Sequence, residues 1–266
     1  MLKIKQRIEN KMEIDILKAK KVFKQYVEKY NPEDEKIKIK IAHIERVSQI
    51  AKKLAEQLNL DEEDIELAEL IGLLHDIGRF EQARVYKTFR DKDSINHGEY
   101  GVKILFDNGL IREFIATDRF DEIIKLAILN HNRADIEKGL TERENLHARI
   151  IRDADKLDIF YVLVTGDKKA IWESSDLSND EISDEIYREF MEDIVIDYKK
   201  VQTSAEILVT HFAYVYDFNF KQSLEIIKEH NYLDKLYGRF NFNNEDTRKK
   251  IQEIYEVAKK YLEEKG

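Results

Sequence analysis

Cysteine is absent from this chain of 266 residues, and proline occurs once. The first absence excludes disulfides, thiolate metal sites and cysteine nucleophiles, so any bound metal must be held by His, Asp or Glu. The second, together with only 9 glycines, argues against a β-rich fold, whose turns draw on both residues. No apolar run approaches the ~18 residues needed to span a bilayer. The opening "MLKIKQRIENKMEID" lacks the apolar segment of a secretory signal, and a cytoplasmic protein is expected. The glycine patterns of P-loops, nucleophile elbows and dinucleotide-binding folds are missing as well. What remains is 42% hydrophobic and 37% charged, a globular composition whose expected class is all-α. The net charge of -9 disfavours broad binding to nucleic acid, which needs clustered Lys and Arg. Neither nucleic acid nor a membrane is therefore expected as a partner.

Hydrophobic spacing predicts helices along most of the chain. An opening helix is predicted from Leu2 to Tyr30, its "KAKKVFKQYVEKY" read as an amphipathic face with solvated lysines. Asn31 and Pro32 read as the cap and first residue of the next helix, which runs from Glu35 to Leu60 and buries Ile44, Val47, Ala51, Leu54 and Leu58. A third begins at Asp61 and buries Leu67, Leu70, Ile71 and Leu74, carrying "LLHD" at its end. Further helices are predicted from a cap near Asp93 or Ser94 to Asn108-Gly109, over 119–133, and over 141–164 with Thr141 and Glu144 as a capping box. Residues 167–266 read as four or five more. The expected organisation is an N-terminal helix (1–33), a core (34–166) and a C-terminal helical extension (167–266).

Several polar residues share these inward faces. His43 lies four before Val47, His75 four after Ile71, His131 four after Ala127, and Asp155 four after Ile151. His97 sits in the first turn of its helix, four before Gly101. One such histidine would read as an ordinary hydrogen-bonded core residue. Five inward positions drawn from separate helices, plus Asp76 beside His75, match the way helical bundles assemble metal sites. A cation would also offset the buried carboxylates.

The order His43, His75-Asp76, Asp155, with "DIGR" after the pair and "DADKLD" around the last aspartate, resembles the HD superfamily of metal-dependent phosphohydrolases. The resemblance spans about residues 40–165. It implies an all-helical HD-domain bundle in which His43, His75, Asp76 and Asp155 hold a first metal, Asp155 being preferred over Asp153. His97 and His131 occupy the slots of the extra histidines in two-metal members. The implied cofactor is one or two divalent ions, with Mn, Fe, Co, Ni or Zn suited to such ligands. The implied activity is hydrolysis of a small phosphorylated compound, a nucleotide above all. If one metal binds, His97 or His131 is left for general acid work.

Arg79, Lys156 and Arg133 are the candidates for holding phosphate, Lys156 also counting among the catalytic residues. His147, His211 and His230 are assigned structural roles, and Glu81 a supporting one. Two other functions compete on the same scaffold, a nucleotide sensor with little turnover and a di-iron oxygenase; a purely structural helical protein is the third rival. A homo-oligomer built through the C-terminal helices is the expected assembly.

Overall fold

In the computed structural model, which describes residues 13–172, 176–192, 196 and 198–266, the described residues hold helices and no strand. The chain divides into two compact units, residues 1–155 and 156–266. No helix of the described residues is long and apolar enough to cross a membrane.

The first unit starts with α1 (Ile16–Val27), capped by the Asp15 carboxylate on the Lys18 amide at 2.9 Å. The earlier part of the predicted opening helix, residues 2–12, lies outside the described residues. The next helix, α2, is Glu35–Gln57 and its cap is Asp34, not Asn31. The Asn31 carboxamide instead accepts from the Glu33 amide at 3.0 Å, closing a turn ahead of the helix. The alternating "EKIKIKIA" is helical, as the Ile37, Ile41, Ile44 spacing requires. Ile44, Val47, Ala51 and Leu54 are fully buried, whereas Leu58 at the helix end is half-buried.

Helix α3 (Glu62–Leu74) opens on the predicted Asp61 cap. It lies so close to α2 that a Cβ on Gly72 would stand 2.7 Å from the Ser48 Cα. Only glycine lets these two backbones approach this far. The helix ends at Leu74, and α4 (Ile77–Tyr86) begins after two intervening residues. His75 and Asp76 therefore sit at the end of α3, where the sequence places them, on a break before the next helix. Asp76 leaves helical geometry (φ -107°, ψ 16°), and its carbonyl accepts from the Arg79 amide at 2.9 Å. The two side chains thus escape the fixed divergence of helical neighbours.

A second correction concerns α5 (His97–Val102). Its cap is Asn96, whose carboxamide oxygen accepts from the Glu99 amide at 3.1 Å; Asp91–Asp93 form a 3-10 turn before it. A π-turn over Lys103–Asp107 continues α5, and Gly109 adopts φ +75° where the chain reverses. Short α6 (Ile111–Phe114) and then α7 (Asp121–His131) follow. The capping box of α8 (Glu142–Thr165) is present: the Thr141 amide donates to Glu144 at 2.7 Å and the Glu144 amide to the Thr141 hydroxyl at 3.3 Å. Asp155 closes the first unit and Lys156 opens the second.

Within the second unit the described residues form α9 (Lys168–Trp172), α10 (Asp184–Met191), α11 (Ser204–Ala213), α12 (Lys221–Glu229), α13 (Tyr232–Tyr237) and α14 (Glu245–Lys265). That is more than the four or five helices read from the sequence, because α12 and α13 are split by Asn231 at φ 50°. A capping box between Thr203 and Glu206 starts α11. Phe190, Leu208, Val209, Phe212, Leu236 and Ile254 are buried in this unit. His211 lies edge-on to Tyr214, with ring centres 5.7 Å apart, and His230 stacks on Tyr232 at 5.2 Å.

Candidate metal centre

The break after α3 points His75 and Asp76 toward one spot, and four further helices converge on it. His43 comes from the middle of α2, His97 from the first turn of α5 and His131 from the last turn of α7. Asp155 comes from α8. A Cβ on Gly78 would stand 2.4 Å from the His97 carbonyl oxygen and 2.6 Å from the Gly101 amide nitrogen. The bare glycine lets α5 press its backbone against the start of α4, which brings His97 to Asp76.

Asp76 stands at the centre of the cluster. Its Oδ2 lies 3.5 Å from His43 Nε2 and 3.7 Å from His75 Nε2. Its Oδ1 lies 3.4 Å from His97 Nε2 and 3.9 Å from His131 Nε2. Asp155 Oδ1 adds contacts to His43 Nε2 at 3.1 Å and His75 Nε2 at 3.8 Å. His43, His75 and Asp76 bring ligand atoms within 4.8 Å of one another; so do His75, His131 and Asp155, and also Asp76, His97 and His131. Donors bound at ~2.1 Å to a common ion stand roughly 3.0–3.4 Å apart, so small side-chain adjustments make these ligand sets. All six sequence-derived ligand candidates thus lie in one cluster. His147 does not: its Nε2 faces Asp64 at 2.9 Å.

The ring tautomers fit a metal. His75 Nδ1 donates to the Gly72 carbonyl at 2.8 Å and His131 Nδ1 to the Ile128 carbonyl at 2.6 Å. His97 Nδ1 donates to the Asp91 carboxylate at 2.6 Å. Carbonyl and carboxylate oxygens can only accept, so each of these bonds fixes the proton on Nδ1 and leaves Nε2 a lone pair when the ring is neutral. The Nε2 atoms of His97 and His131 stand 2.9 Å apart, a separation that a shared proton or a bound cation accommodates. His75 Nε2 and Asp76 Oδ1 are buried without a hydrogen-bond partner. A buried, orphaned donor set of nitrogen and carboxylate is what a divalent ion satisfies.

Charge follows the same logic. Burial pushes the Asp76 carboxyl up, but the Lys40 ammonium, then His75, the bond from His43 and Arg79 hold it well below the usual carboxylate range. Burial likewise raises Asp155, and its bond to His43 and the charges of His43 and His75 hold it low. Both groups are ready to bind a cation at neutral pH. Burial, then the neighbouring His97 and His75, push His131 down to about 3. An imidazole in the unfolded chain titrates near 6.5. As pH falls below that value the unfolded state takes up the proton first, so the cost to stability is nil above 6.5 and grows down to about 3. Metal-free protein is expected to lose resistance to urea between pH 7 and pH 5, and His131→Gln to flatten that slope. Parallel slopes in the two proteins would contradict the assignment.

Of the cations read in the sequence, Arg79 stands beside Asp76. Lys40, not anticipated there, places its ammonium 2.5 Å from Asp76 Oδ2. Arg79 lines the wall, with Nε 3.4 Å from Asp76 Oδ1 and its fork held by Asp91 at 2.8 Å, Gln82 at 2.9 Å and the Phe89 carbonyl. Arg133 pairs with Glu137 at 2.5 Å on its own turn, and Lys156 pairs with Asp217 at 2.8 Å in the second unit. Glu81 accepts from Tyr30 and binds Arg84. Two supporting residues also escaped the sequence reading. Asp91 orients His97 and anchors Arg79 together, and buried Arg152 donates to the carbonyls of Asn130 at 3.0 Å and Ala134 at 2.9 Å, gripping the turn that carries His131.

The chain is thus an all-α protein in which four histidines and two aspartates from separate helices form a candidate metal centre. The family model of the HD domain matches residues 41–159 of the chain. HD domains are typical of metal-dependent phosphohydrolases. No curated protein and no solved structure matches the chain.

Proposed function

We propose that this protein is a metal-dependent phosphohydrolase with a binuclear centre, acting on a small phosphorylated compound of the nucleotide class. The observation that carries it is the division of labour at Asp76, whose two oxygens each face a different pair of imidazoles. One ion would be held by His43, His75, Asp76 and Asp155, the other by Asp76, His97 and His131. When bound, divalent ions supply Lewis acidity toward a phosphoryl group and a source of hydroxide near neutral pH.

The chain's own residues do the rest. Asp155, with 23% of its side chain exposed against 4% for Asp76, marks the open side of the centre. Lys40 flanks that side, 19% exposed, and supplies a fixed positive charge for a phosphoryl oxygen. Arg79 holds Asp76 in place from the opposite oxygen. Asp91 keeps the proton on His97 Nδ1, so the lone pair on Nε2 stays aimed inward. Water adds to phosphorus and gives up a proton to solvent as the P–O ester bond breaks, the departing oxygen takes a proton from solvent to leave as the alcohol, and the product phosphate leaves past Lys40.

Lys40 and a divalent cation share one carboxylate, which gives a test of its role. Lys40→Met should bind metal at least as tightly as the wild type, while KM rises about tenfold. Metal loss in that variant would instead make Lys40 part of the metal-holding structure.

The function itself is tested by metal content per chain, by elemental mass spectrometry, alongside phosphate release from a panel of nucleotides and sugar phosphates. Two equivalents with turnover support the reading. Two equivalents without turnover on any phosphate ester overturn it in favour of a sensor, and iron with oxygen uptake in favour of an oxygenase.

A further inference from the structure

A second group of cations includes Lys36, which lies about two turns before His43 on α2. The end of α1, the start of α2 and the end of α4 surround a hollow of about 400 Å³ lined by Lys29, Tyr30, Asp34, Lys36 and Lys87. Small-ligand pockets run from roughly 300 to 1,000 Å³. Among the described residues, no carboxylate pairs with the ammonium groups of Lys29, Lys36 or Lys87. The acids nearby are occupied: Asp34 caps α2 through the Lys36 amide at 2.9 Å, and Glu81 is bound to Arg84 and Tyr30. Lys29 lies over the Tyr26 ring at 5.4 Å. Three like charges around one hollow repel each other, in a chain whose net charge is -9. A bound anion removes that repulsion.

Two elements lead from this hollow toward the centre. Lys36 and Lys40 stand one turn apart on the same face of α2, a rise of about 6 Å. Lys40 reaches Asp76 at 2.5 Å and also lies over the Phe89 ring at 5.9 Å. Phe89 follows Lys87 by two residues, so the segment after α4 meets α2 at Lys40.

We infer that Lys29, Lys36 and Lys87 form a distal anion subsite of the same active site. The substrate then carries two anionic groups, one hydrolysed at the metal centre and one held about 6 Å or more away. This inference rests on the phosphohydrolase reading, and it narrows the substrate to bisphosphorylated or similarly dianionic compounds.

The test is calorimetric binding of hexyl phosphate and 1,6-hexanediol bisphosphate to the full metal-loaded chain and to Lys36→Gln/Lys87→Gln. The bisphosphate is expected to bind the wild type about tenfold tighter than hexyl phosphate, since its second group binds intramolecularly. The double variant is expected to lose that advantage and to keep the affinity for hexyl phosphate. Equal affinities in the wild type, or an advantage that survives the double substitution, overturn the subsite. If hexyl phosphate does not bind at all, the phosphohydrolase reading fails, and pyrophosphate decides the cluster separately with the Asp76→Ala chain as host. Binding there that needs Lys36 and Lys87 leaves an independent anion site and overturns its role in catalysis; no binding removes the site altogether.

Discussion

Asp76→Ala is expected to yield a folded chain that holds no divalent metal and releases phosphate only at background rate. Both candidate ligand sets pass through this one carboxylate, whose oxygens face His43 and His75 on one side and His97 and His131 on the other. Folding should survive. Lys40, the ammonium left behind, is on the open side of the centre and can turn to water, and the substitution removes one of two carboxylates crowded in the cluster. Metal added at a hundred times its Kd should stabilise the wild type by about 2.7 kcal/mol and the variant not at all. Thermal unfolding with and without metal, run beside elemental analysis, reads all of this. A variant that keeps its metal would show that Asp76 is a bystander to ligands such as Asp155 and would end the bridging interpretation.

Gly78→Ala should have an effect out of proportion to one methyl group. The added Cβ would meet the His97 carbonyl at 2.4 Å and the Gly101 amide at 2.6 Å, and both obstacles are backbone. Helix α5 must therefore move away from α4 as a unit. Overpacking of this kind costs about 1–3 kcal/mol. Because α5 carries His97, the same displacement should weaken the metal set of Asp76, His97 and His131 and spare that of His43, His75 and Asp155. Urea midpoints and metal stoichiometry are the measurements; a loss of one equivalent of two is the expected result. Gly101→Ala is the control, since its nearest obstacle is the Ile77 side chain at 3.4 Å, an ordinary contact. Equal stability losses at the two positions would mean that close approach at Gly78 is not what positions His97.

Much of the centre was legible without coordinates. His43, His75, His131 and Asp155 each stand four residues from an apolar position of their own helix, and helical geometry converts that spacing into a shared buried face. The helical class followed from sparse Gly and Pro, and the starts of α3 and α8 from side chains that satisfy local amides. These are near-neighbour relations, so the sequence carries them whole.

What lies between helices was decided only by the tertiary structure. The backbone angles at Asp76, which turn its side chain beside that of His75, leave no periodic signal, because periodicity stops where the helix stops. Lys40 looks no different from Lys36 or Lys38 in "KIKIK" until α3 brings Asp76 beside it. Asp91 belongs to a loop, and only the packing of α5 against α4 makes it partner to both His97 and Arg79. Conversely, Arg79 and Lys156 follow the ligand residues closely in sequence, yet their charges are engaged by Asp91 and Asp217. The amino-acid sequence by itself determined which side chains turn inward, since that depends on rotation about one helix axis. Which of them meet, and which cations stay free for a substrate, depended on contacts between residues far apart in the chain, set by how closely bare glycines allow the helices to approach.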